Sequence, residues 1–315
     1  MFEVRLVAVA LSIFILSYLS LSLAVIAAWK LPARLLHSYP PFRAANLLLA
    51  LRLFPLFGAL VITTLYGVPS FLVLEPGEIS EPVGPLLIAL VCISIGWVLI
   101  AAWRAVNAQR TLSRILSQWI KKVRAVDARH SVPVLQISSN DPVLAVAGIC
   151  APKVLVSQIA ASTLSAEEFE AALRHEMAHI RHRDNLKKLL FRLASFPAMY
   201  KLESAWADMC EMAADDAAIS NTAEALDLAS ALIKLSRLAP IQAANGLTSS
   251  FMPPVKASFE ARVRRLFNWT DSVSRAKNRS FLYVTPALVG IFFCAVLTYG
   301  PVLAQVHEIT EWLVR

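Results

Sequence analysis

Charged side chains are scarce in this chain of 315 residues. Asp, Glu, Lys and Arg make up 17% of it, against 57% for hydrophobic residues. An ordinary soluble domain carries about 25% charge, so the composition excludes that class. A mean hydropathy of +0.59 points the same way. Cysteine is scarce too: Cys92, Cys150, Cys210 and Cys294 are the four, and no CxxC pair occurs among them. A disulfide framework or a cysteine-rich structural metal site is therefore not expected. No internal repeat or low-complexity tract is present. The net charge of +8 lacks an aromatic-interleaved basic patch or nucleic-acid motif, so nucleic acid is not an expected partner. The cations cluster beside apolar segments instead, where anionic lipid attracts each by about 1 kcal/mol.

Long apolar runs are what the chain has in quantity. Leu6 to Trp29, Leu53 to Leu74, Val83 to Trp103 and Phe281 to about Gln305 are uncharged, and each reaches the roughly 20 residues that a membrane helix needs. The first exceeds the apolar core of a signal peptide, about 7–15 residues, and is read as a retained span. Lys30, Arg34, Arg43 and Arg52 lie between spans one and two, whereas Glu75, Glu78 and Glu81 follow span two. Arg104, Arg110, Arg114, Lys121, Lys122 and Arg124 follow span three, and Arg275, Lys277 and Arg279 precede span four. Positive flanks face the cytoplasm, so both termini are expected outside and the long central segment inside. The expected division is three spans over 1–103, an inside domain over 104–280, and the fourth span with a short tail over 281–315. Arg52, at the edge of span two, is read as snorkelling to the interface. Pro55, Gly58, Gly67 and Pro69 mark span two as one that bends.

Inside, Arg104 to about His130 reads as a basic amphipathic helix, with Leu112, Ile115, Leu116, Trp119 and Ile120 at helical spacing. Short β-branched runs over 132–137, 143–146 and 153–156, separated by turn residues, predict a small antiparallel sheet of about three strands. The stretch from Ser162 to Phe196 reads as helical, opened by a Ser165–Glu168 capping box. Further helices are expected over 203–220 and 222–238. A flexible loop is expected over 239–254, and a short basic helix near "FEARVRRLFNW".

The chemistry lies in "ALRHEMAHIRHRDN", residues 172–185. His175 and His179 are four apart on the helix, so both imidazoles share one face about 6 Å apart along the axis. Both Nε2 atoms can then reach one Zn²⁺, with Glu176 placed as general base. His182 is about 10.5 Å of rise from His175, and no glycine breaks "HIRH", so a ligand role is not expected of it. A third ligand must come from elsewhere. "CEMAADDAA" offers Glu211, with Asp215 one turn on to accept a ring N–H from a ligand histidine. Small residues beside them let helices approach closely. Cys210 draws notice only as the neighbour of Glu211.

Together, "HEMAHIRHRDN", "VAGICAPKVLVSQ…LSAEEFEAALR", the Glu211–Asp215 pair and "RVRRL" resemble the M56 peptidases, the family of the β-lactam sensor-transducers BlaR and MecR. The resemblance implies a mainly α membrane protein of the bacterial cytoplasmic membrane. It would have four transmembrane helices and a cytoplasmic α+β gluzincin-type zinc peptidase domain. By the same resemblance one Zn²⁺ per chain is held by His175, His179 and Glu211, Glu176 is the catalytic base, and Asp215 stands behind a ligand. Asp184 matches the family's R-x-D pattern as an orienting residue. The antibiotic sensors carry a penicillin-binding domain after span four. No such segment follows in this sequence, which stops at Arg315, so β-lactam sensing is not expected. The related M48 membrane peptidases share the two motifs and stand as the alternative family.

The expected partners are the lipid bilayer and a protein substrate, either a cytoplasmic repressor or a membrane protein. A homo-oligomer is left open. An extended substrate strand would add to the sheet edge around 143–156. "GLTSSFMPP" is a candidate self-cleavage segment, as occurs in the antibiotic sensors, but it reads as an ordinary surface loop. The rival from another class is a non-catalytic membrane transducer or scaffold, with structural metal or none.

Overall fold

The computed structural model describes residues 2–29, 39–74, 84–119, 124–127, 132–137, 143–238, 248–250, 256–269 and 299–314. These divide into two compact units, one drawn from 1–34, 50–101 and 276–315, the other from 35–49 and 102–275. Residues 35–49, assigned by sequence to the membrane part, group with the second unit.

Among the described residues, three helices are long and apolar enough to cross a membrane. The first is α1, Phe2–Ala28. The second runs as α2 (Pro41–Ile62), a π-helical turn (Thr63–Gly67) and α3 (Val68–Leu74). The third is the start of α4, Pro85–Trp119. Val9 and Ile13 of α1, Phe71 of α3 and Leu87 of α4 pack together. A Cβ on Gly58 would stand 2.8 Å from Leu21, and one on Gly67 2.8 Å from Ile13, so these glycines allow the close approach on which apolar helices rely. The π turn widens the helix by one residue and exposes backbone acceptors. Ser70 Oγ donates to Gly67 O at 2.9 Å, and Tyr299 Oη donates to Leu65 O at 3.0 Å. Tyr299 begins the last helix, α11, Tyr299–Val314. Most of the expected fourth span lies outside the described residues.

Arg52 does not snorkel. Because α2 starts at Pro41, well before the apolar run, Arg52 falls mid-helix and is 1% exposed, hydrogen-bonded with Tyr18 of α1.

In the second unit the sheet is mixed and five-stranded, ordered β1-β2-β4-β3-β5, which corrects the small antiparallel sheet of three strands. Strands β2 (Val134–Ile137), β3 (Leu144–Ala147) and β4 (Lys153–Ser157) fall where the β-branched runs predicted. However, β2 pairs β4 in parallel, whereas β3 and β4 form an antiparallel hairpin. Gly148 turns that hairpin with φ of 102°, and a Cβ there would meet Ala151 O at 2.8 Å. The amphipathic helix expected to run to about His130 ends at Trp119 as the continuation of α4, and Arg124–Asp127 is β1 instead. Thr248–Ser250, assigned to a flexible loop, is β5 on the far side of β3.

Helices cover one face of this sheet. After the short α5 (Gln158–Thr163), Ser165 caps α6 (Ala166–His182). Ser165 Oγ accepts from Glu168 N at 3.2 Å, and Glu168 Oε2 accepts from Ser165 N at 2.8 Å, completing the capping box. The helical stretch is not continuous. Arg183 takes the left-handed conformation (φ 55°, ψ 41°), ending α6 and starting α7, Asp184–Leu193. Helix α8 follows as Tyr200–Ala218, α9 as Thr222–Leu238 and α10 as Lys256–Phe267. Val146, Val154 and Val156 of the sheet pack on Leu173 of α6 and on Leu228 and Leu232 of α9. Each such side chain contributes about 1.5–3 kcal/mol by leaving water. Ala171, Ala172 and Ala178 on α6 and Ala213 and Ala214 on α8 are buried, and the two helices pack against each other. Their small side chains let the two helices close together, which builds the site.

Candidate metal centre

Three elements deliver the polar cluster: α6, the first turn of α7, and α8. His175 and His179 sit four residues apart on the buried face of α6, at 0% and 3% exposure. Their rings meet nearly edge-on, at an interplanar angle of 82°, with the Nε2 atoms 3.1 Å apart. From α8, Glu211 brings Oε2 to 3.5 Å from His175 Nε2 and Oε1 to 3.5 Å from His179 Nε2. Ligands at about 2.1 Å in a tetrahedral zinc site stand about 3.4 Å from one another. The Nε2–Nε2 spacing of 3.1 Å and the two Glu211 contacts of 3.5 Å, made by different carboxylate oxygens, lie close to that value, and with one oxygen of Glu211 the three ligand atoms fall within 4.8 Å of one another.

The outer nitrogens are held as well. His175 Nδ1 lies 2.9 Å from Asp215 Oδ1, and His179 Nδ1 lies 2.8 Å from Asp184 Oδ2. A carboxylate facing each Nδ1 fixes that nitrogen as the N–H, so both Nε2 atoms present lone pairs. Two lone pairs 3.1 Å apart repel unless a cation sits between them, and a proton or a metal ion meets that need. The donor set therefore suits zinc. It contains no sulfur ligand: buried Cys210 lies behind the site, 4.0 Å from Asp184 Oδ1.

Glu176 is fully buried. Its Oε2 accepts from Val146 N on β3 at 3.0 Å, while Oε1 has no hydrogen-bond partner among the described residues. Burial pushes its carboxyl up to about 8, against the opposing pull of His175. Glu211 goes the other way. Burial alone would raise it, but Arg262 and then His179 hold it down to about 2. Asp215 lies well below the usual carboxylate range, Arg262 outweighing its burial. His175 is raised to about 9, because Asp215 and Glu211 outweigh the effect of burial.

All six residues singled out from the sequence, His175, Glu176, His179, Asp184, Glu211 and Asp215, come together here. His182 does not join them; it packs against Phe42 with ring centroids 4.9 Å apart. Sequence reasoning missed three neighbours. Arg262 of α10 binds Glu211 and Asp215. Asn185 donates to Gly148 O at 3.0 Å and Val146 O at 3.4 Å. Lys187 Nζ donates to Asp184 Oδ1 at 3.0 Å. Arg262 was legible only as part of a quoted run, and nothing local tied it to the cluster. Asn185 and Lys187 sit beside Asp184, but the helix break that turns them inward was not visible.

A family model described as BlaR1 peptidase M56 matches residues 70–264, well over half of the chain. No curated protein matches the chain.

Proposed function

Because the chain belongs to the M56 peptidase family, a family of membrane metallopeptidases, we propose that it is an integral-membrane zinc endopeptidase. Its second unit would act on cytoplasmic or membrane-associated proteins, in regulated proteolysis. The observation that carries this reading is the pairing of one partnerless Glu176 oxygen with a compact His175–His179–Glu211 set, whose candidate ligand atoms all lie within 4.8 Å of one another.

In this reading His175, His179 and Glu211 hold the ion, and Asp215 and Asp184 fix the two histidine tautomers. A bound zinc ion supplies Lewis acidity, which makes water a nucleophile near neutral pH and polarises a peptide carbonyl. Glu176 takes the proton of the attacking water at Oε1. It returns that proton to the leaving nitrogen as the C–N bond breaks, the new C–O bond having formed in the attack. The hydrogen bond from Val146 N keeps the other oxygen still and ties the base to β3.

Strand β3 also supports a mode of substrate binding. Thr248, Ser249 and Ser250 pair with Ala147, Val146 and Ala145, so this edge accepts an extended backbone. A substrate strand would bind in their place, through main-chain pairing that demands little of its sequence.

The test compares purified wild type with Glu176→Ala for zinc content and for cleavage of casein. About one zinc per chain in both, with cleavage by wild type alone, is the expected result. Zinc in both without cleavage of casein or of the chain itself would favour the non-catalytic transducer. Wild type without zinc would remove the metal centre altogether.

A further inference from the structure

Arg262 lies on α10, 51 positions beyond Glu211 in the chain, and is 0% exposed. Its guanidinium spends three donors on two acids that sit one turn apart on α8. Nε and Nη2 donate to Asp215 Oδ2 and Oδ1 at 2.8 and 2.7 Å, while Nη1 donates to Glu211 Oε2 at 2.8 Å. A bidentate pair with Asp215 would already neutralise the buried cation. The third bond restricts geometry further, because it fastens one particular oxygen of Glu211. That leaves Oε1, 3.5 Å from His179 Nε2, unfastened by the guanidinium, while the fastened Oε2 stands 3.5 Å from His175 Nε2. The same guanidinium holds Asp215, whose Oδ1 faces His175 Nδ1 at 2.9 Å. Through two carboxylates, one side chain of α10 therefore reaches two of the three candidate ligands.

We propose that Arg262 is the positioning residue of the metal centre: it pins Glu211 so that one carboxylate oxygen serves as ligand, and it holds Asp215 on His175. This rests on reading the cluster as a metal site. Two plainer roles compete with it. Arg262 could merely tie α10 to α8, or act as a cation that competes with the metal for Glu211. The rigid fork separates these roles from positioning, because lysine keeps the charge but cannot hold three oxygens in a plane.

The experiment uses full-length wild type, Arg262→Lys and Arg262→Met in detergent. Zn²⁺ affinity is read by competition with a chromophoric chelator, geometry from the visible absorption of the Co²⁺-loaded protein, and folding from the thermal midpoint. Zinc affinity is expected to fall about 10–100-fold in both variants. The cobalt bands should weaken and shift, as Glu211 becomes free to offer both oxygens and coordination number rises. Unchanged affinity and spectrum in Arg262→Lys, with only a lower midpoint, would reduce Arg262 to a structural tie and overturn the proposal. A rise in affinity in Arg262→Met would make it a competing cation and overturn it equally. Should Arg262→Met fail to fold, Arg262→Lys decides alone. Failure of wild type itself to bind either metal would instead sink the metal-centre reading, and this proposal with it.

Discussion

His179 Nδ1 meets Asp184 Oδ2 at 2.8 Å, five residues on in the chain. In an unbroken α-helix a residue five positions along is rotated by about 140° and cannot face back. The contact exists because Arg183 takes a left-handed conformation between them. One residue of unusual backbone therefore ends α6, starts α7 and supplies the acid behind a candidate ligand.

Asp184→Ala should lower zinc affinity about 10–100-fold, since the His179 ring loses its orienting acceptor. Asp184→Asn should lose less, because its amide oxygen can still accept from Nδ1. Chelator competition measures both, and equal affinities across the three proteins would dismiss Asp184 as a holder of His179.

At Arg183 itself the left-handed conformation costs an L-residue roughly 1–2 kcal/mol, a penalty that glycine escapes. Arg183→Gly is expected to raise the thermal midpoint, and Arg183→Val to lower it, each by about 2–4 °C per kcal/mol. Loss of stability in both would show that the exposed arginine side chain, and not its backbone, matters here.

Asn185→Ala offers a contrast with Asp184→Ala. The amide donates to the carbonyls of Val146 and Gly148, so its removal should destabilise by about 1–3 kcal/mol. Zinc affinity should change far less than in Asp184→Ala. A drop in affinity matching that of Asp184→Ala would mean that the β3 backbone and the metal ligands move as one body.

Acid should weaken the fold at the start of α6. Burial pushes Glu168 up, but bonds from Lys234, Ser230 and the Ser165 amide outweigh it, and the carboxyl sits below its ordinary 4.5. A lowered folded value means that the stabilisation is complete above about 4.5 and fades as pH falls through the folded value. Lys234→Met removes part of the lowering, so its thermal midpoint should fall less in acid than that of wild type and level off at a higher pH. Superimposable midpoint–pH curves would rule out this role for the pair.

Much of the site was legible because its spacing is local. His175 and His179 share a face by helical arithmetic alone, and Glu211 with Asp215 repeats the same interval on a second helix. The capping box at Ser165 likewise needs only four consecutive residues. What stayed hidden depends on contacts far apart in sequence or on single dihedral angles. Arg262 reaches Glu211 only because α10 folds back on α8. The parallel pairing of β2 with β4 arises because β3 turns back on β4 and leaves the other edge of β4 open to β2, an order that alternation of side chains does not specify. Arg183 carries no mark of its left-handed backbone, since glycine and asparagine are the usual signs of such a turn. Arg52 was misplaced because apolar composition marks where lipid can be met, whereas the helix starts a further eleven residues upstream.

The wide turn at Thr63–Gly67 has a consequence for the second span. Counted in ordinary turns, that helix holds one residue too many, and the surplus is taken up where Tyr299 caps the carbonyl of Leu65. Each α-helical residue advances the face by about 100°, so the surplus sets which side the following turns present. With it, Ser70 and Phe71 lie inward, at 0% and 1% exposure. A chain lacking any one of residues 63–66 could run on as a regular helix, but it would swing Phe71 away from Val9 and Ile13 of α1. The segment beyond the turn is thus phased by a count, and not by the hydrophobicity of its residues.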